Sequence, residues 1–289
     1  MANLKEIRVR ITSVNSTKQI TSAMKMESAA KLRRAQDNIL QLRPYATKLH
    51  EILSNVSMNV DASDDNIYAH KREVHKVLIV LITSNRGLCG GFNTSVIKKG
   101  LQLANEVYTP KGIDVSYMAV GKKSRDFIKA KGLKLINSNV TIFDDVSFSN
   151  VSSIAEEIMR YFTEGSFDKI EFIYNQFKNA AVQNLLVEQF LPIEVQESDS
   201  KYRVDYIFEP NEDYIVKELI PKSLKIQFYK ALLDSIASEH GARMTAMHKA
   251  TENATDLVRD LKLHYNKARQ AAITKEILEV VSGAEALNG

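Results

Sequence analysis

The sequence predicts an α/β fold: a long antiparallel coiled coil formed by the N- and C-terminal helices, plus a Rossmann-like doubly wound head domain. Three observations predict it. Residues 2–60 carry an unbroken four-three alternation of seam positions, and the stretch from His240 to Gly289 carries a second. Between them the period changes at Val77–Ile82 (VLIVLI), the first of several short apolar segments separated by helical ones. The expected boundaries are an N-terminal coiled-coil helix over 1–60, a link over 61–75, the α/β head over 76–210 and a C-terminal coiled-coil helix over 211–289.

Composition bounds the classes open to the chain. At 289 residues and 44% hydrophobic content it can bury one sizeable domain with extensions, or two domains. A net charge of +4 is too weak to argue for nucleic acid as a partner. The single Cys89 excludes an internal disulfide and fits a reducing compartment. No apolar run approaches bilayer length, and the first residues lack the charged-then-apolar pattern of a signal peptide, so neither secretion nor a membrane span is expected.

In the N-terminal element the seam runs Ile7, Ile11, Val14, Lys18, Thr21, Lys25, Ser28, Leu32, Ala35, Ile39, Leu42, Ala46, Leu49 and onward to Val60. At ~1.5 Å per residue this is a helix of roughly 85 Å. Pro44 lies inside it, where the missing amide donor bends a helix unless a neighbour braces it. Between Lys18 and Ser28 the seam turns polar, which argues against a strict zipper there. The element is basic, with Arg8, Arg10, Lys31, Arg33, Arg34 and Arg43 prominent, yet it lacks aromatic interleaving and any nucleic-acid-binding module. Residues 61–75 are polar and without period. His70 and His75 within them have no third ligand nearby, so no metal is expected.

The head begins at Val77–Ile82, whose β-branched, all-apolar composition suits a central strand covered on both faces. A helix over Thr94–Val107, a strand over Val115–Val120, a helix over Lys122–Ala130 and a helix over Ser153–Thr163 follow. Strands over Lys169–Phe177, Gln183–Phe190 and Val204–Phe208 then succeed one another without a helix, which predicts a partly antiparallel sheet. The turn after the first strand, Ser84–Asn93 (SNRGLCGGFN), has glycines at 87, 90 and 91 that could bare amides to a phosphate. However, the Lys and hydroxyl of a P-loop are absent, Phe92 and Asn93 standing in their place, and the dinucleotide spacing fails as well. A glycine-rich structural turn is the better reading. No nucleophile elbow, carboxylate pair or metal spacing occurs in this region, and Cys89 lacks a recognisable His partner. No catalytic, cofactor or metal residues are assigned.

Pro221 suits the first turn of the last helix. Its expected seam is Met247, Ala250, Ala254, Leu257, Leu261, His264, Ala268 and Ala271, rich in small side chains that admit a partner closely. Farther on, Ile273, Ile277, Leu278, Val280, Val281, Ala284 and Leu287 spread apolar groups over more than one face, which a two-stranded coil leaves wet and something else must surround. Two helices at opposite chain ends, each too long for the domain between them, most simply pair with one another in antiparallel fashion.

Several separate segments carry a resemblance. Ile20–Met26 (ITSAMKM), Lys31–Gln36 (KLRRAQ), SNRGLCGGFN, Ser238–Met247 (SEHGARMTAM), ATENAT, YNKARQAAITKEI and VVSGAEAL together resemble the gamma subunit of bacterial F-type ATP synthase, over essentially the whole chain. The resemblance implies a central-stalk rotor, not an enzyme in itself, that couples proton translocation to ATP synthesis or hydrolysis at beta-subunit sites. It implies one copy per complex inside a hexamer of alpha and beta subunits, with an epsilon subunit and the membrane c-ring at the head. It also implies a peripheral place on the cytoplasmic face of the bacterial inner membrane.

By the same resemblance, Met24, Lys25 and Arg243 fall near the beta lever region. Arg269, Gln270, Thr274, Glu276 and Glu279 fall at a catch loop of beta, and Tyr206 and Glu209 where the head meets epsilon and the ring. The chain departs from the family pattern at Gly241, where relatives commonly have alanine and a glycine would soften the helix, and at Ser22 and Glu27. No cysteine-bearing insert interrupts the head, so the redox switch of chloroplast relatives is not expected. The rival classes are a nucleotide-using α/β enzyme and a basic coiled-coil adaptor.

Overall fold

The computed structural model describes residues 4–60, 67–70, 72–193 and 218–288, with side chains over 4–46, 48–49, 67–70, 72–193 and 218–285. The chain divides into two compact units, one of Met1–Ser28 with Met244–Gly289 and one of Ala29–Arg243. Each is described by itself.

The larger unit is built on a five-stranded sheet in the order β3-β2-β1-β4-β5. The strands are β1 (Lys76–Ile82), β2 (Asp114–Val120), β3 (Leu135–Asn139), β4 (Lys169–Phe177) and β5 (Gln183–Leu191). Central β1 is parallel to both neighbours, with Val77 opposite Val115 on one side and Lys169 on the other. The chain winds outward through β2 and β3, then crosses back to β4, so the doubly wound pattern expected from the strand and helix alternation is present. β4 and β5 pair antiparallel, as their direct succession in sequence predicts.

Both faces of β1 are covered, which is why its sequence reads as an uninterrupted apolar run. Leu78, Val80 and Ile82 share a core with Met118, Phe172, Ile158 and Phe228, whereas Val77, Ile79 and Leu81 share another with Val96, Ala119, Ile128 and Ile173. The second core packs helices α2 (Phe92–Leu103) and α3 (Lys122–Ala130); the first packs α4 (Phe148–Thr163) and the two terminal helices α1 (Leu4–Val60) and α5 (Ile220–Asn288).

The structure shifts three of the predicted elements. α2 starts two residues early, at Phe92, and ends at Leu103 in a π-helical turn over Ala104–Tyr108 in place of a regular last turn. α4 starts at Phe148, five residues early, because Ser147 in an extended conformation accepts the amide of Asn150 as an N-cap. β3 has no counterpart among the predicted strands. Its sequence, LINSN, is half polar because it is an edge strand paired to β2 alone, so it lacks the apolar run that marks a buried one. The predicted strand Val204–Phe208 lies outside the described residues.

The end of the polar link is tied to the sheet. The Tyr68 carbonyl accepts the Ile193 amide at 3.0 Å, and Asp168 accepts the amides of His75 and Lys76 at 2.9 Å.

α1 is helical through Pro44, and α5 begins at Ile220 with Pro221 in its first turn, where a missing amide costs nothing. Within the larger unit, α1 buries Leu32, Ala35, Ile39, Ala46 and Leu49, all of them expected seam positions.

In the smaller unit the helices pair antiparallel: Thr21 meets Thr251, and Lys25 meets His248. The α5 seam has a different phase from the one the sequence suggests. Met247, Ala254, Leu261 and Ala268 lie on it, but Leu257 is 41% exposed and His264 is exposed, while Val258 (8% exposed) and Tyr265 face inward in their place. A four-three and a three-four repeat share every second position. Where two apolar residues stand side by side, as at Leu257 and Val258, only the partner helix chooses between them.

Candidate coupling surface

The polar stretch of the α1 seam is paired. Thr21 and Ser28 are buried, and the Thr21 and Thr251 hydroxyl oxygens lie 2.8 Å apart. Lys25 Nζ lies 3.3 Å from His248 Nδ1, and His248 Nε2 lies 3.5 Å from Glu252 Oε1. Hydroxyl and amine contacts thus stand where apolar knobs would sit in a strict zipper. Met24, beside this ladder, is half-buried.

From Arg269 to Glu285 every residue of α5 is exposed. Arg269, Gln270, Thr274, Glu276 and Glu279 therefore share one solvated segment with Ile273, Ile277, Leu278, Val280 and Val281. Their polar contacts are local: Thr274 Oγ1 donates to the Gln270 carbonyl at 3.0 Å, and Lys275 and Glu279 form an exposed pair at 3.5 Å. Such a pair adds little to stability. Adjacent exposed Ile, Leu and Val side chains on several faces of one helix form a surface that gains free energy when enclosed.

In the larger unit, Arg243 is buried and engaged internally. Its Nη1 donates to Glu239 Oε1 at 2.6 Å, and its Nη2 donates to the carbonyls of Arg86 and Gly87 at 3.3 and 3.4 Å. Burial pushes the Glu239 carboxyl up despite the neighbouring charges of Arg243, Lys31 and Arg86. Asp234, on the same helix, accepts from Arg43 Nη2 at 2.9 Å, and that guanidinium also donates to the Phe177 carbonyl at 2.9 Å. Burial likewise raises the Asp234 carboxyl, with Arg43 opposing.

These two clamps escape a reading of the sequence in different degrees. Glu239 and Arg243 stand four apart in SEHGARM and are legible as a helical ion pair. Arg43 and Asp234 are 191 positions apart and carry no local signal.

The glycine-rich turn is built as structure. Asn93 accepts the Ser84 amide at 2.9 Å and donates to Ser84 Oγ at 2.9 Å and to Cys89 Sγ at 3.1 Å, while Asn85 donates to the Val140 carbonyl. Gly90 adopts a left-handed φ of 59°, and so does Leu88, at 62°, where a side chain is uncommon. The carbonyls of Arg86 and Gly87 face a guanidinium, the opposite polarity to the amides a phosphate loop presents. Cys89 is buried, and burial pushes its thiol up. Among the described residues no group of His, Cys, Asp or Glu could hold a metal, and no helix is long and apolar enough to cross a membrane. Tyr206 and Glu209 lie outside the described residues.

A family model described as ATP synthase matches residues 3–287. The chain is 59% identical over 289 residues to the ATP synthase gamma chain of Christiangramia forsetii, covering 100% of both chains. It is 59% identical over 290 residues to that of Flavobacterium johnsoniae, again covering 100% of both. Among solved structures it resembles a chain in the central stalk and c-ring of Tetrahymena thermophila mitochondrial ATP synthase. That match has 25% identity and a TM-score of 0.60, and covers 80% of this chain and 99% of that one. A chain of the Euglena gracilis mitochondrial enzyme in rotational state 3 shares the fold at 21% identity and a TM-score of 0.69, covering 98% of this chain and 94% of that one. With end-to-end matches at this identity, and with the paired terminal helices and doubly wound head in place, this chain belongs to the family of ATP synthase gamma chains.

Proposed function

We propose that this chain is the central-stalk rotor of an F-type ATP synthase and carries no reaction centre of its own. It couples proton translocation through the membrane sector to ATP synthesis or hydrolysis on beta subunits. The observation that carries the reading is the helix α5: joined to α1 at Thr251 and His248, covered at Val258 and partly covered at Leu261 and Ala268, then exposed on all sides from Arg269 onward. An apolar end enclosed by a surrounding hexamer of alpha and beta subunits turns easily, because non-directional contacts give little angular preference. The polar residues Arg269, Gln270, Thr274, Glu276 and Glu279 then supply directional grips on beta from the same segment, and Met24 and Lys25 supply them from the paired region.

Each beta conformer contacts this surface differently, so turning it shifts the populations of their nucleotide states. Arg243, buried against Glu239 and the turn, acts on the beta contact by holding that turn in place. Tyr206 and Glu209 belong to the contact with epsilon and the c-ring, within a head assigned to residues 76–210. The complex holds one copy, peripherally on the cytoplasmic face of the inner membrane.

The test is reconstitution of the complex in proton-tight vesicles with this chain, with the chain lacking Ile273–Gly289, and without it. Intact chain should give ATP-driven acidification, and the truncated chain hydrolysis with weakened pumping. Pumping that is equal with and without the chain would overturn the reading, as would micromolar ATP binding by the purified chain in calorimetry.

A further inference from the structure

The Arg43 and Asp234 pair is costly in a way that stability does not explain. Asp234 is 0% exposed, and although its Oδ1 accepts from Arg43 at 2.9 Å, its Oδ2 has no hydrogen-bond partner among the described residues. A buried carboxylate half satisfied in this way stabilises a fold less than well-packed apolar side chains of similar volume would. Such pairs are best attested as devices that fix register.

The surroundings need one. The buried apolar positions nearby are Ile39 and Ala46 on α1 and Ala231, Leu232 and Leu233 on α5, with Ser235 buried next to Asp234. Contacts among the apolar groups are non-directional, and one helix can creep along another with little change in buried area. Pro44 removes one backbone hydrogen bond from α1 at this level, which lowers the helix's own resistance to bending and twisting. The guanidinium of the residue beside it is held at two points, by Asp234 of α5 and by the Phe177 carbonyl at the end of β4, each at 2.9 Å. Both bonds come from one nitrogen, Nη2, whose two N–H directions are fixed by the guanidinium plane, so a shift of either acceptor out of line weakens its bond.

We propose that Arg43 and Asp234 are positioning residues for rotary coupling: their pair locks α1, α5 and the end of β4 in one register, so that twist passes along the helices without slippage of one past the other. This rests on the central-stalk reading above.

The experiment compares complexes carrying the unaltered chain, the double variant Arg43→Met/Asp234→Leu, and Arg43→Lys, reading melting temperature, ATP hydrolysis rate and protons pumped per ATP. The double variant removes the pair without stranding a charge, so a purely structural role predicts unchanged behaviour in all three readouts. The expected result is melting at or above that of the unaltered complex, hydrolysis retained, and pumping per ATP reduced about threefold. Arg43→Lys keeps the charge but replaces the fixed in-plane donor directions of Nη2 with a freely rotating ammonium; it should retain the melting temperature and lose part of the coupling.

Coupling unchanged in the double variant overturns the proposal, and where that variant does not assemble, coupling unchanged in Arg43→Lys overturns it. An unaltered complex whose pumping does not depend on this chain would instead overturn the central-stalk reading.

Discussion

The hydroxyl oxygens of Thr21 and Thr251 lie 2.8 Å apart across the paired terminal helices, where a coiled-coil seam would ordinarily hold apolar side chains. Thr21 donates to the Lys18 carbonyl, so the donor across the seam is Thr251, whose single proton has the Met247 carbonyl as its alternative acceptor. Replacing Thr251 alone with valine should cost about 1 kcal/mol, since one buried hydroxyl loses a neighbour that water cannot replace. The double variant Thr21→Val/Thr251→Val should recover that loss or exceed it, because the seam becomes uniformly apolar. Denaturant melts of the single and double variants check both signs.

Gly241 makes room for a neighbour and does more than loosen a helix. A Cβ there would stand 3.2 Å from the Ala180 carbonyl oxygen and 3.3 Å from its Cα, in the turn joining β4 to β5. Gly241→Ala should therefore gain less than the ~1 kcal/mol that helix propensity offers. Gly241→Val, which adds bulk against backbone atoms, should destabilise outright. Thermal unfolding of both variants tests the order.

Burial raises the Glu239 carboxyl above its ordinary 4.5, against the pull of Arg243. A carboxyl whose folded value lies above its unfolded one contributes stability that is full below the unfolded value and is lost as pH rises through the folded value. Glu239→Gln should accordingly flatten the stability profile in the window above pH 4.5, and the unaltered chain should gain on the variant as pH falls into that window. Melting temperatures across that range, with the Arg243 contacts kept by the amide, measure the difference.

Cys89 is 2% exposed, receives a hydrogen bond from Asn93, and has its thiol pushed up chiefly by burial. The thiolate is the reactive form, so N-ethylmaleimide at neutral pH should leave native chain unmodified and label it fully in denaturant. Intact mass before and after unfolding gives the answer; rapid labelling of folded protein would contradict the packed turn.

Much of the architecture was legible in the sequence because its signals are local. The all-apolar run of β1, the succession β4–β5 that forces an antiparallel pair, and the seam from Ile7 to Leu49 each follow from a period set by backbone geometry. β3 escaped because an edge strand owes its place to one neighbour and its residues need not be apolar. The choice of Val258 over Leu257, and of Tyr265 over His264, escaped because both phases satisfy the same repeat. Of the candidate site, the exposed segment from Arg269 onward was readable as an apolar tip in need of cover, whereas the burial of Arg243 was not.

The sequence by itself determined that two long helices flank a doubly wound sheet and that the far end of α5 is apolar on several faces, since periodicity is a property of consecutive residues. Tertiary structure alone decided which helix face meets which. It also brought Arg43 to Asp234 and Arg243 to the carbonyls of Arg86 and Gly87. Those contacts join residues more than a hundred positions apart, and a buried charge is satisfied by whatever the fold carries to it, which no local pattern encodes.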